Sequence, residues 1–279
     1  MKRIFYSLLL AFSLFACEEI PPDIGMDMGP NPEPPGIVLR KVIIEEFTGN
    51  RCINCPAGSE LIKSLKGIHG DRLIPISLHC TDWAVPDADA QLDFRTQDAE
   101  NIIQFLGLPA GFPAGIISRK RFDGGYGLQL GAESWPGNID QELMIEAAAK
   151  VEITPGYDSA TRTATVDVAT EFIIPQTILG DDQTMLTVYL IEDHIIDFQV
   201  TPDGNVPDYD HRHVFRTALT PFSGEIISLD GQPGTVEETS YSMVIPNDWN
   251  ADNVFVIAFV HNSGSNKEIY QAEEVHLVN

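Results

Sequence analysis

Cys52 and Cys55, in the run Arg51-Cys52-Ile53-Asn54-Cys55-Pro56, are the side chains whose type and spacing most directly suggest chemistry. A thiolate attacks a disulfide sulfur to form a mixed disulfide, and a second thiol one helical turn on can resolve it. At a helix N-terminus the dipole and the unpaired N–H groups stabilise that thiolate. Arg51 adds positive charge, and the N–H groups of Asn54 and Cys55 are expected to point at the Cys52 sulfur. In this reading Cys52 attacks and Cys55 resolves. The same spacing also suits a disulfide staple that never exchanges. A third reading adds His79 and Cys80 as metal ligands. Neighbours on a strand point to opposite faces, so these two converge poorly and neither metal nor cofactor is expected.

For the helix-terminus argument to hold, a strand must deliver the thiols to a helix. Ile37–Phe47 reads as that strand, and Pro56–Leu65 as the helix, with Pro56 tolerated in its first turn and Gly67 and Gly70 ending it. Further on, Leu73–His79 reads as a strand, Asp87–Leu106 as a helix, Gly115–Ser118 as a short strand and Asp140–Lys150 as a helix. This alternation predicts an α/β domain over residues 37–150. After Lys150 the apolar period becomes two. The candidates are Thr161–Phe172, Met185–Ile191, Val214–Leu219, Glu225–Leu229, Tyr241–Ile245, Val254–Val260 and Ile269–Leu277. Seven short strands predict an all-β sandwich, Ig-like or jelly-roll-like, over residues 151–279. His211 and His213 share a face near Asp208 and Asp210, but a loop entering a strand accounts for them better than a metal site.

The N-terminus sets the compartment. Lys2 and Arg3 precede a short apolar run, and Leu14-Phe15-Ala16-Cys17 closes it like a lipobox. Residues 1–16 are therefore expected to be a lipoprotein signal peptide, and Cys17 the lipidated residue. Residues 17–36, acidic and rich in proline, read as an extended tether. The net charge is −24, and loss of Lys2 and Arg3 would make it −26. Such a surface repels phosphate backbones, so nucleic acid is not expected as a partner. Membrane attachment would come from the lipid anchor. No phosphate loop, nucleophile elbow or zinc-protease motif is present, which removes the commoner hydrolase classes.

Glu46-Phe47-Thr48-Gly49-Asn50-Arg51-Cys52-Ile53-Asn54-Cys55-Pro56 resembles the hallmark of thioredoxin-like outer-membrane lipoproteins named for a 28-kDa outer membrane protein. Tyr209–Arg216 and Phe255–Val260 resemble the C-terminal β-domain of the same family. The resemblance implies a thioredoxin-like domain followed by a β-sandwich, held at the outer membrane. Thioredoxin-fold proteins also carry a cis-proline just before an apolar strand, facing the two cysteines. Pro113 in Gly111-Phe112-Pro113-Ala114-Gly115-Ile116-Ile117 matches that place better than Pro109. Phe112 and Pro113 are then the substrate-side wall, and Phe112 is bulkier than the usual residue there. The expected partners are protein thiols or disulfides of the cell envelope. A binding lipoprotein whose β-sandwich recognises a protein or glycan is the competing expectation.

Overall fold

Strand β1 (Val42–Thr48) is buried along its whole length because it runs in the middle of a sheet covered on both faces. The computed structural model describes residues 38–122, 127–174, 183–227 and 232–278. Residues 1–16 and 17–36, expected to be a signal peptide and a tether, and with them Cys17, lie outside the described residues. From β1 the chain enters helix α1 (Cys55–His69) and returns as β2 (Leu73–His79), parallel to β1 with Val42 opposite Leu73 and Thr48 opposite His79. Helix α2 (Gln97–Leu106) leads to β3 (Ala114–Ile117), which pairs antiparallel with β1. Helix α3 (Trp135–Leu143) follows.

Ten more strands follow among the described residues: β4 (Ala149–Asp158), β5 (Thr163–Phe172), β6 (Thr184–Glu192), β7 (Ile195–Thr201), β8 (Gly204–His211), β9 (Val214–Ala218), β10 (Glu225–Ile226), β11 (Val236–Val244), β12 (Val254–Asn262) and β13 (Ile269–His276). The large mixed sheet has the order β13-β12-β6-β9-β2-β1-β3, with β10 beside β6. A second sheet is β11-β5-β4, and β7 and β8 form a separate hairpin.

The division expected at residue 150 does not interrupt the large sheet. Ser77 of β2 pairs with Val214 of β9, and the Ser77 N–H donates to His213 C=O at 2.7 Å. One core contains Ile43, Phe47, Ile76 and Leu78 together with Tyr189, Phe215, Ile257 and Phe259. A buried ion pair within the first half contacts the second half at this junction. Arg119, fully buried, donates from Nε to Glu45 Oε2 at 2.9 Å and from Nη2 to Glu45 Oε1 at 2.7 Å. Its Nη2 also reaches the Tyr189 hydroxyl at 3.2 Å, and its guanidinium lies 4.8 Å from the Phe259 ring centre. Gly36–Asn279 accordingly form one compact unit.

Two helix expectations need correction. The helix expected over Asp87–Leu106 is only Gln97–Leu106: Thr96 caps it by accepting the Ala99 N–H, while residues 91 and 92 are tied as a loop to the Asp197 carboxylate. The helix expected over Asp140–Lys150 is Trp135–Leu143, started by a proline in its first turn. Ala147, Ala148 and Ala149 suit a helix by propensity, but they are buried against the second core, and Ala147 and Ala148 hydrogen-bond to Val38 and to residues 173 and 174. Tertiary burial overrides propensity there. The β7–β8 hairpin and β4 were not among the expected strands.

Candidate functional site

The polarity of one face of β1 and β2 changes along the strands. Val42, Ile44 and Leu73 pack with Ile62 and Leu65 of α1 in an apolar cluster. The next positions on the same face are Glu46, Thr48, Ser77 and His79, all buried. Polar groups thus gather at the carboxyl ends of the strands, where the chain turns into α1 and carries the cysteines.

Cys52 and Cys55 are joined in a disulfide, with Cα atoms 5.4 Å apart, and are 3 % and 1 % exposed. Cys55 is the first residue of α1 and Pro56 follows in its first turn. The Cys55 N–H does not point at the Cys52 sulfur as expected; it donates to the Cys52 carbonyl at 3.2 Å, closing a turn. Gly49 is required by close approach, since a Cβ there would lie 2.3 Å from the Trp83 carbonyl oxygen. That carbonyl accepts the Arg51 N–H at 2.9 Å. Arg51 itself is exposed and 3.9 Å from Asp87.

The β7–β8 hairpin clamps the cysteine loop from the far end of the sequence. The Gln199 amide donates to the Cys52 carbonyl at 3.2 Å and to the Gly49 carbonyl at 3.4 Å. The Val200 N–H donates to the Asn50 carbonyl at 2.8 Å. Gln199 carries no sequence signal of its own, because its role depends on a contact 147 residues away.

The Phe112–Pro113 bond is cis. Pro113 and Glu46 both press on α1 one turn beyond Cys55: a Cβ added at Gly58 would lie 3.0 Å from Pro113 Cγ and 2.8 Å from Glu46 Oε1. Phe112 is partly buried against the main core, with its ring centre 6.5 Å from that of Trp83. Ile53 is 45 % and Trp83 48 % exposed, so an apolar rim surrounds the buried disulfide.

Glu46 is the residue the sequence reading missed. It is fully buried; Oε2 accepts the Ser77 hydroxyl at 3.3 Å and Oε1 has no partner. Burial pushes its carboxyl up to about 8, against a smaller opposing effect of the Ser77 hydrogen bond. The signal was available in Glu45-Glu46, two charges inside an otherwise apolar strand.

His79 and Cys80 diverge. His79 faces Phe94 and His211, with ring centres 4.9 and 5.5 Å away, while Cys80 is a free thiol packed in the main core. Burial pushes the Cys80 thiol up, aided by the charge of Glu100. Among the described residues no group of three or more His, Cys, Asp or Glu is placed to hold a metal. His211 ends β8, whereas His213 sits at positive φ with its N–H held by the Asp193 carboxylate, so the two imidazoles do not act as one strand face.

Together the fold and the site define a mixed α/β protein with a disulfide at a strand-to-helix turn and a buried carboxyl beneath it. The family model described as outer membrane protein Omp28 matches residues 104–278. The chain belongs to that family, and its location is the outer membrane. The match takes in Phe112 and Pro113 but begins after the two cysteines. Among solved structures, HBP35 of Porphyromonas gingivalis is similar in fold, with a TM-score of 0.66 at 21 % identity over 86 % of this chain and 76 % of that one. A protein from Agrobacterium tumefaciens gives a TM-score of 0.49 at 10 % identity, over 86 % and 95 % of the two chains. A domain of the outer membrane lipoprotein Omp28 from Porphyromonas gingivalis gives 0.31 at 19 % identity, over 47 % and 88 %. No curated protein matches the chain.

Proposed function

We propose that this protein is a lipid-anchored thiol–disulfide oxidoreductase of the outer membrane, acting through Cys52 and Cys55 on thiols or disulfides of envelope or surface proteins. In this reading β1, α1, β2, α2 and β3 are a thioredoxin-like unit, and the later strands are a β-sandwich-type unit merged with it through the large sheet. Cys17 carries the lipid, since Leu14-Phe15-Ala16-Cys17 closes the N-terminal apolar run like a lipobox and the acidic chain offers little to attract anionic headgroups.

The observation that carries the reading is Glu46. A fully buried carboxyl with one unpartnered oxygen is costly to keep, and a staple has no use for it. Beneath the first turns of α1 it can serve as proton donor and acceptor for the cysteine released in exchange. With its carboxyl pushed up to about 8, it holds a proton at neutral pH and can give it up. Phe112, Pro113, Trp83 and Ile53 form the rim on which an extended partner segment would lie.

The whole protein in detergent should exchange with a model protein disulfide or dithiol, and Cys52→Ser should abolish this. Wild-type activity no greater than that of a variant with both cysteines replaced would sink the reading. The rival, a binding lipoprotein with a structural disulfide, is favoured by one observation: both sulfurs are nearly inaccessible under the β7–β8 clamp. Resistance of the pair to mild reductant would support it.

A further inference from the structure

A cavity of about 300 Å³ lies between α1 and the β7–β8 hairpin, beside the cysteine loop: of its lining residues, Gln199 donates to the Cys52 carbonyl and Ser59 to the Cys55 carbonyl. Its inner wall is made of buried polar groups: Glu46, Ser77, His79, Gln199 and His211. Two of their atoms, Glu46 Oε1 and His79 Nδ1, have no protein partner. Its mouth is lined by Glu60, Lys63 and Asp208, all exposed. The opposite face of the same strands, with Phe47, Ile76 and Leu78, is closed apolar core. At roughly 30 Å³ per water the cavity has room for several waters, and its polar wall supplies their partners. The thiol chemistry proposed above needs a proton at a place bulk water does not reach, since Cys55 is 1 % exposed.

We propose that this cavity is a hydrated proton route from Glu46, past the imidazoles of His79 and His211, to solvent at Glu60, Lys63 and Asp208. The proposal rests on the exchange reading, which defines when the route is used. A thiolate of a partner dithiol attacks Cys52 Sγ, the S–S bond breaks, and its electron pair passes to Cys55 Sγ. Cys55 takes the proton of Glu46, and the carboxylate is reprotonated from the mouth along the route. The partner's second thiol loses its proton to water and attacks the mixed disulfide. It leaves as an oxidised partner, while Cys52 departs as a thiolate and is protonated by water. The partner thus loses two electrons and two protons, and the cysteine pair gains both. His79 and His211 are positioning residues here: each neutral imidazole carries one N–H and one lone pair, and His211, with its Nε2–H on the Phe198 carbonyl at 3.3 Å, keeps Nδ1 as an acceptor for the waters that carry the proton. Burial lowers the basicity of both, and each faces the other.

The test follows the Glu46 carboxyl stretch by infrared spectroscopy in the oxidised, ¹³C-glutamate-labelled protein, the band being assigned by its loss in Glu46→Gln. On transfer to heavy water the wild-type band should shift within the mixing time, and the His79→Phe, His211→Phe double variant should slow that shift by about tenfold or more. A wild-type band that does not shift, or a double variant as fast as wild type, overturns the route. Should the double variant fail to fold, a high-resolution crystal structure of the wild type decides. An ordered water on Glu46 Oε1 continuous with the mouth supports the route, and a dry cavity overturns it. Neither measurement uses thiol turnover. Rapid isotope exchange in a protein inert toward dithiothreitol therefore sinks the exchange reading alone, and slow isotope exchange in a protein that reacts with it sinks the route alone.

Discussion

Glu45 and Glu46 are adjacent on one strand and equally buried, yet the two faces of β1 give them opposite surroundings. On one face Glu45 is held by a bidentate arginine, which in turn reaches a tyrosine of the other half of the sheet. On the other, Glu46 has a weak hydroxyl contact, an unpartnered oxygen and a hydrated-size cavity. A buried carboxylate with its countercharge is architecture, and removing one partner strands the other. A buried carboxyl without one stays protonated near neutrality, and that makes it available for proton chemistry.

The largest effect should come from breaking the paired side. Arg119→Met leaves Glu45 buried without its countercharge and should cost about 3–5 kcal/mol of stability, read from the urea midpoint. Adding Glu45→Gln to it should recover a large part of that loss. If the single and double variants are equally destabilised, the stranded charge on Glu45 is not the source of the loss.

The unpaired side should respond with the opposite sign. The folded-state pKa of Glu46 is raised from 4.5 to about 8, so its favourable contribution is complete below pH 4.5 and is lost as pH rises through 8. Glu46→Gln should therefore match wild type in acid and become more stable than it, on the order of 3–5 kcal/mol, above pH 8. Denaturation curves at several pH values check this, and a constant difference across the range would contradict it.

The histidines around the cavity work in reverse. His211 is lowered to about 4 by burial, so its contribution is present above pH 6.5 and fades as pH falls through 4. His211→Gln should flatten the loss of stability over that window by about 1–3 kcal/mol. A smaller loss, about 1–2 kcal/mol, is expected for Gly58→Ala, where the added methyl meets Pro113 and Glu46 and outweighs the gain in helix propensity. The smallest change belongs to Asp87→Ala, which removes the long, exposed contact to Arg51 and an exposed local bond from the Ala88 N–H, and should stay within about 0.5 kcal/mol.

Local signals in the sequence located β1, the start of α1, β2 and most of the later strands. Each is an apolar run of period two or a helix start marked by proline, and these depend on neighbours in the chain. The end of α3 was misjudged because Ala147-Ala148-Ala149 is helical by propensity, whereas all three are buried outside any helix and Ala149 begins β4. The β7–β8 hairpin escaped for a related reason: β8 is polar and largely exposed on its outer side, so no apolar alternation marks it. Cys52, Cys55, Phe112 and Pro113 were legible as residue types at characteristic places. Gln199 and His211 were not, since nothing near them in the chain refers to the cysteines they approach.

The sequence by itself determined that two thiols would sit at a strand-to-helix turn, because an apolar strand, a Cys-x-x-Cys spacing and a helix-starting proline are all local. It also contained both glutamates, side by side and indistinguishable. Only the tertiary structure decided which would be neutralised by Arg119 and which would face a cavity beside the cysteine loop. Strand alternation sends neighbours to opposite faces, and what covers each face comes from segments 150 residues away and more.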